Sequence, residues 1–233
     1  LLMADQTFLL KRLIKNCARQ FNMNASFMAK PFSDEAGNGM HVHLSVVDKD
    51  GNNVFTVDKN KQPQGLFSQA IGGLLKTTPD FLSFYAPHSN SYRRLVHNAD
   101  HAPTTLSWGN ENRTALIRLP EASAEATRLE FRVASADSNP YLVFASVLAS
   151  VYAGIQGKLQ HDKETIGNAH AQHPPSLGVT WREAVEKTSV SSLVKDFFGE
   201  QFQQCYTCVK ESEIKRFEST ITDFEYHSYL RSL

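Results

Sequence analysis

The feature that most restricts this chain is Gly37-Asn38-Gly39-Met40-His41-Val42-His43-Leu44-Ser45, a glycine turn running into a strict polar/apolar alternation. Side chains on a strand repeat every second residue, so His41, His43 and Ser45 share one face while Val42 and Leu44 point into a core. Glycines just before the strand let backbone come close to a ligand and reach positive φ. A single strand histidine is commonly a surface residue or a hydrogen-bonded core group. Two on one face with a serine, behind a Gly-x-Gly turn, point instead to a polar ligand site.

The 233 residues suffice for one large domain or two small ones, and 41% hydrophobic with 21% charged residues is ordinary globular composition. Lys+Arg 24 balances Asp+Glu 24, so no global charge draws the chain to nucleic acid or an anionic membrane, and an anionic ligand must be met by local charge. No apolar run reaches the length of a membrane span, and the opening Leu1-Leu2-Met3-Ala4-Asp5 lacks the form of a signal peptide, so a cytoplasmic location is expected. Three cysteines cannot all pair, which fits a reducing compartment. Cys205 and Cys208 form a C-x-x-C without a second thiol pair or nearby histidines, and are read as incidental helical spacing.

Along the chain, Asp5 is expected to cap a first helix ending near Gln20-Phe21-Asn22, with Phe8, Leu9, Ile14 and Cys17 as its apolar positions. A short strand over Ala25-Ser26-Phe27-Met28-Ala29 should stop at Pro31. Asp48 to Asn53 reads as a hairpin turn before a strand at Val54-Phe55, which would make the sheet antiparallel. Helical patterning covers Gly65 to Lys76 and resumes after Pro79 to Ala86; His88 to Thr104 loses periodicity and reads as an irregular segment, functional in many compact domains, with disorder as the competing explanation. Strands are expected within Thr104 to Trp108, Thr114 to Leu119 and Arg128 to Val133, then a helix opened by Asn139-Pro140 and running to about Leu159. After a polar connector from His161 to Pro175, helices are expected within Trp181 to Lys187, Ser191 to Phe198 and Glu211 to Leu230. In the last, Ile214, Phe217, Ile221, Phe224 and Leu230 form a stripe read as core.

Six arginines, Arg93, Arg94, Arg113, Arg118, Arg128 and Arg132, crowd the middle of the chain. Arginine offers a planar, permanently charged fork suited to carboxylate and phosphate. Arg128-Leu129-Glu130-Phe131-Arg132 repeats the logic of the histidine strand, with Arg128, Glu130 and Arg132 on one face. A carboxylate between two guanidiniums should stay ionised and can join His41 as a hard-cation ligand. Alone, this run fits a solvated face with weak ion pairs equally well. Beside the histidine strand and Asn112-Arg113-Thr114-Ala115-Leu116-Ile117-Arg118, a polyanion and metal site is the better account.

These residues resemble the catalytic domain of the glutamine synthetase family. The resemblance rests on Phe27-Met28-Ala29-Lys30-Pro31, the Gly-x-Gly-Met-His-x-His-x-Ser stretch, Trp108-Gly109 followed by Asn112-Arg113, Arg118-Leu119-Pro120, and Arg128-x-Glu130-x-Arg132 with Asn139-Pro140-Tyr141-Leu142, all in the family's order. It implies an α+β fold, a curved antiparallel sheet flanked by helices, and ATP-dependent ligation of glutamate's side-chain carboxylate to ammonia or a primary amine through γ-glutamyl phosphate. It implies Mg2+ or Mn2+ held by His41 and Glu130, with His43 and Ser45 along the nucleotide and transferred phosphate. Gly37 would offer backbone to glutamate, Arg94 and Arg132 would bind glutamate carboxylate and transferring phosphate, Arg113 the phosphoryl group, and Arg118 and Arg128 the nucleotide phosphates. It further implies stacked rings of subunits.

Three departures stand out. The family's N-terminal β-grasp domain and upstream metal-binding glutamates are not in this sequence, so the chain is expected to be a C-terminal part of the catalytic domain. Where glutamine synthetases have Pro-Gly-Tyr-Glu-Ala-Pro, this chain has His97-Asn98-Ala99-Asp100-His101-Ala102-Pro103, longer by one and without glutamate. Asp100 or His101 would then serve in its place, or the nucleophile is an organic amine, as in γ-glutamylpolyamine ligases. Ala36 stands where an asparagine often contacts glutamate. Two other readings are a non-catalytic nucleotide- or amino-acid-binding relative, and an oxygenase-like metal barrel, which would not need the arginines.

Overall fold

A computed structural model describes residues 1–96, 99, 102–177 and 179–232. Helices α1 (Leu2–Gln20), α2 (Gly65–Tyr85), α3 (Ser89–Arg94), α4 (Pro140–Gln156), α5 (Ala169–Gln172), α6 (Trp181–Val190), α7 (Ser192–Phe198), α8 (Glu200–Glu218) and α9 (Asp223–Tyr229) surround two small sheets. The main sheet has the order β1 (Val42–Leu44), β6 (Leu129–Phe131), β5 (Ile117–Leu119), β4 (Trp108–Asn110); β2 (Thr56–Val57) and β3 (Pro63–Gln64) pair separately. The α+β class with sheets flanked by helices is what the sequence led one to expect.

The helix α2 is the centre of the core. Its Phe67, Ile71, Leu74, Phe81, Phe84 and Tyr85 are buried, against Trp108, Ile117, Leu129 and Phe131 of the sheet. It runs unbroken through Pro79. An interior proline costs about 3 kcal/mol, but full burial of one large apolar side chain returns about 1.5 to 3 kcal/mol, and four follow within six residues. The α2/α4 crossing depends on two glycines. A Cβ on Gly73 would lie 2.2 Å from the Ser150 carbonyl oxygen, and one on Gly154 would lie 2.2 Å from the Gln69 carbonyl oxygen. Backbone therefore meets backbone.

Several local expectations are corrected. The pairing of β4 with β5 is parallel, Trp108 facing Ile117 and Asn110 facing Leu119, so the sheet is mixed. The connection turns back through Glu111 at φ 51° and is held by Asn112, whose side-chain oxygen accepts from the Thr114 amide and hydroxyl. Residues 25–29 form no strand. Their polar backbone is satisfied elsewhere: the Ala29 carbonyl accepts from the Asn38 amide at 2.7 Å, and the Asn90 side chain bonds both N–H and C=O of Lys30. The hairpin over Asp48 to Asn53 forms, but at its return limb the Val54 amide donates to the Val46 carbonyl while the Phe55 amide turns to the Asn53 side chain, and Val54-Phe55 is not a strand. The irregular segment after His88 holds α3. The main-sheet strands are three residues each; β5 and β6 are shorter than the sequence runs, and β4 begins at Trp108, where the run from Thr104 was expected to end.

The Asn139 cap is as expected, its side chain accepting from the Tyr141 amide at 3.0 Å, although α4 ends at Gln156. Helix α1 starts at Leu2 rather than at Asp5, which instead accepts a hydrogen bond from the Tyr141 hydroxyl at 2.5 Å. Its apolar residues Phe8, Leu9 and Ile14 are exposed. The helix expected from Glu211 to Leu230 is two, because Thr222 caps α9 with Glu225 in a reciprocal box. Of the predicted core stripe only Ile214 is buried; Phe224 is 70% exposed.

Replacing Gly73 by alanine should lower stability by about 2 kcal/mol, since overpacking a tight interface forces the helices apart. A denaturant titration should show the midpoint falling with little change in slope.

Candidate active site

The four strands of the main sheet place one row of residues side by side. His43 of β1 faces Glu130 of β6, Glu130 faces Arg118 of β5, and Arg118 faces Gly109 of β4. Two residues along β1 and β6, His41 and Arg132 lie on the same face. Glu130 is the hub. Its Oε1 is 2.8 Å from His41 Nδ1 and 2.6 Å from Arg132 Nη1, and its Oε2 accepts from Arg118 Nη1 at 2.8 Å.

Glu130 and Arg132 are each only 3% exposed, which removes the solvated-surface account of this strand. Burial alone would push the Glu130 carboxyl up, but hydrogen bonds from His41 and Arg118 and the Arg132 charge outweigh it and hold the pKa at about 2. The carboxylate is ionised at any physiological pH. Since it is ionised, His41 must donate Nδ1–H to it, and in the neutral ring Nε2 then keeps its lone pair. Among the described residues no group of three or more His, Cys, Asp or Glu side chains could hold a metal, so His41 and Glu130 make a two-donor site at most.

Arg94, at the end of α3, is buried and turned under the same strands. It donates from Nη1 to the Val133 carbonyl at 2.8 Å and from Nη2 to the Arg132 carbonyl at 3.0 Å. Burial lowers its pKa to about 10, and the Arg132 charge adds to the effect. The Gly-x-Gly turn packs on this guanidinium: a Cβ on Gly37 would lie 2.7 Å from Arg94 Cγ, and one on Gly39 would lie 2.7 Å from Arg94 Nη2. A polar cavity of about 260 Å³ opens there, lined by Lys30, Glu35, Gly37, Arg93 and Arg94.

The remaining expected residues are placed as follows. Arg132 Nη2 donates to the Arg113 carbonyl at 3.0 Å, so the backbone of Arg113 supports the site while its side chain is exposed. Arg128 donates from Nε to His43 Nδ1 at 3.3 Å. Burial lowers the His43 pKa, more than the nearby Glu130 charge can raise it, and favours the neutral, accepting ring. Ser45 is exposed beyond the end of β1. Asp100 and His101 lie outside the described residues. Sequence reasoning missed Glu111, whose Oε2 accepts from Arg118 Nη2 at 2.6 Å; only the parallel β4/β5 pairing brings it there.

Residues 1–229 match the family model for the glutamine synthetase catalytic domain. The chain belongs to this family. It is 34% identical over 228 residues to gamma-glutamylputrescine synthetase PuuA of Escherichia coli, covering 98% of this chain and 48% of that protein. It is 34% identical over 238 residues to the glutamine synthetase of Thermotoga maritima, covering 97% and 53%. With gamma-glutamylethanolamide synthetase GlnA4 of Streptomyces coelicolor it shares 33% over 225 residues, covering 97% and 48%. The chain thus spans about half the length of the curated relatives it matches. No helix among its described residues is long and apolar enough to cross a membrane.

Glu130→Gln should cost about 3 kcal/mol, because two guanidiniums lose a buried counter-charge. The folded carboxyl titrates near 2 against an ordinary value of 4.5. Its contribution to wild-type stability is therefore complete above the unfolded value and is lost as pH falls from there toward the folded one. Urea midpoints of wild type and variant should converge across that acid window.

Proposed function

We propose that this chain carries the catalytic site of an ATP-dependent ligase that joins the γ-carboxylate of glutamate to ammonia or a primary amine through γ-glutamyl phosphate. The observation that carries the reading is the buried, ionised Glu130 held between His41, Arg118 and Arg132 on one sheet face. An unactivated carboxylate is a poor acyl donor, and transfer of a phosphoryl group to it supplies the leaving group that a nitrogen nucleophile then displaces. In-line phosphoryl transfer asks chiefly for alignment and for positive charge where negative charge develops.

The residues fit those demands. Arg132 and Arg94 would bind the glutamate carboxylate and the phosphoryl group in transit, with Arg113 on the outer side. Arg118 and Arg128 would take nucleotide phosphates, with His43 and Ser45 beside them, and Gly37 would present backbone to glutamate next to Arg94. The donor chemistry of His41 and Glu130, an imidazole touching an ionised carboxylate, suits a divalent cation such as Mg2+ or Mn2+. Such ions commonly take few protein groups and complete their shell with water and phosphate oxygens. When bound, the cation would neutralise phosphate charge.

The choice of nucleophile turns on the segment from His97 to Pro103, which lacks the glutamate seen in glutamine synthetases. Similarity to the relatives does not separate the cases, at 34% and 33% for the putrescine- and ethanolamine-coupling synthetases and 34% for a glutamine synthetase; the absence of the glutamate leaves room for an organic amine, and Asp100 or His101 would take the proton if ammonia is used. ATP- and glutamate-dependent phosphate release by the full-length protein, with ammonia, putrescine or ethanolamine as the only nucleophile, separates the cases. Release is expected with at least one of them and should fall by about a thousandfold in His41→Ala and Glu130→Ala. No release with any nucleophile would leave the non-catalytic binding protein standing.

A further inference from the structure

Arg118 sits on β5, and its neighbour on β4 is Gly109, which has no side chain to offer it. Gly109 cannot readily be replaced, since a Cβ there would lie 2.6 Å from the Thr165 carbonyl oxygen and 2.9 Å from Asn112 Cβ. The lane beside Arg118 is filled instead by Glu111, the residue just past the end of β4. Glu111 holds φ at 51°, a left-handed conformation that costs a side-chain-bearing residue energy and persists only where surroundings enforce it. One carboxylate oxygen accepts from Arg118 Nη2 at 2.6 Å, and the other accepts from the Glu121 amide. A single carboxylate thereby ties Arg118 to the loop that follows β5.

Arg118 is then gripped from both sides, by Glu130 on Nη1 and by Glu111 on Nη2. Each terminal nitrogen keeps a second hydrogen, so the fork can still meet a phosphate while its plane is set by two anchors. Glu111 itself has a half-exposed side chain and touches neither His41 nor Arg132 in any contact of this network.

We infer that Glu111 is a positioning residue for nucleotide binding, acting through Arg118 to fix the orientation in which that guanidinium meets a polyphosphate. The inference rests on the ligase reading above. It also separates Glu111 from a rival role, in which its carboxylate competes with phosphate for Arg118 and weakens binding.

The test uses the full-length protein with Glu111→Ala and Glu111→Gln. Affinity for a non-hydrolysable ATP analogue in the presence of Mg2+, measured by calorimetry, should weaken about tenfold in Glu111→Ala. It should weaken less in Glu111→Gln, which keeps the chain length and one accepting oxygen. In turnover the KM for ATP should rise while kcat and the KM for glutamate stay near wild type, a split that general destabilisation would not produce. Thermal melting of both variants checks that they are folded, and Glu111→Gln keeps the test informative if Glu111→Ala is not. Unchanged or tighter analogue binding in the folded variants would overturn the positioning role. Failure of the wild type to bind the analogue would overturn the ligase reading and this inference with it, whereas wild-type binding with unaffected variants would overturn this inference alone.

Discussion

The carboxylate of Glu130 is the interaction on which the rest of the structure depends. An ionised group taken out of water costs several kcal/mol, and it stays charged only if its partners are placed well enough to offset that cost. Here the partners come from three sources in the sequence: His41 just before β1, Arg118 on β5 and Arg132 just beyond β6. One anion therefore specifies the register of the three neighbouring strands, since sliding any strand by one residue would turn its partner to the opposite face. The short strands need that specification, because three residues of ladder do not define a register strongly by themselves.

The same arrangement explains why the arginines are not interchangeable. Arg94 is held by the carbonyls of Val133 and Arg132, which keep its charge close to the turn at Gly37, while burial lowers its pKa. Arg132 is bound to both Glu130 and the Arg113 carbonyl. Arg118, between Glu130 and Glu111, is more exposed than Arg94 or Arg132. The chain arranges positive charge at graded depth, buried near Arg94 and open near Arg118 and Arg128. That order suits a ligand carrying a small carboxylate at one end and a polyphosphate at the other.

Behind the site, the scaffold is the α2/α4 pair. The glycines at 73 and 154 allow the backbones to touch, and Tyr85 at the end of α2 accepts from the Ser135 amide and the Ser138 hydroxyl, joining the helix to the chain leaving β6. The strand that carries Glu130 and leads into Arg132 is thus fastened to the central helix of the core. The surfaces of α1 and α9 are different: they carry apolar residues in helical spacing that stay exposed. Helical periodicity reports a helix with an apolar face, but which faces are covered depends on the neighbours the chain meets.

What the sequence by itself determined is the chemistry of two strand faces. Alternation is a local, two-residue property, so the face shared by His41 and His43, and the one shared by Glu130 and Arg132, were legible without any knowledge of neighbours. The Asn139 cap and most helices were legible for the same reason, as caps and periodicity act within a few residues, whereas the class of fold came from the family resemblance of the motifs. Only the tertiary structure decided that Glu130 is buried rather than solvated, that β4 and β5 run parallel, that Ala25 to Ala29 forms no strand, and that Glu111 reaches Arg118. Each of these depends on contacts between segments distant in the chain or on the path of a connecting loop. No local pattern records which backbone groups, charges or apolar faces those segments will find opposite them.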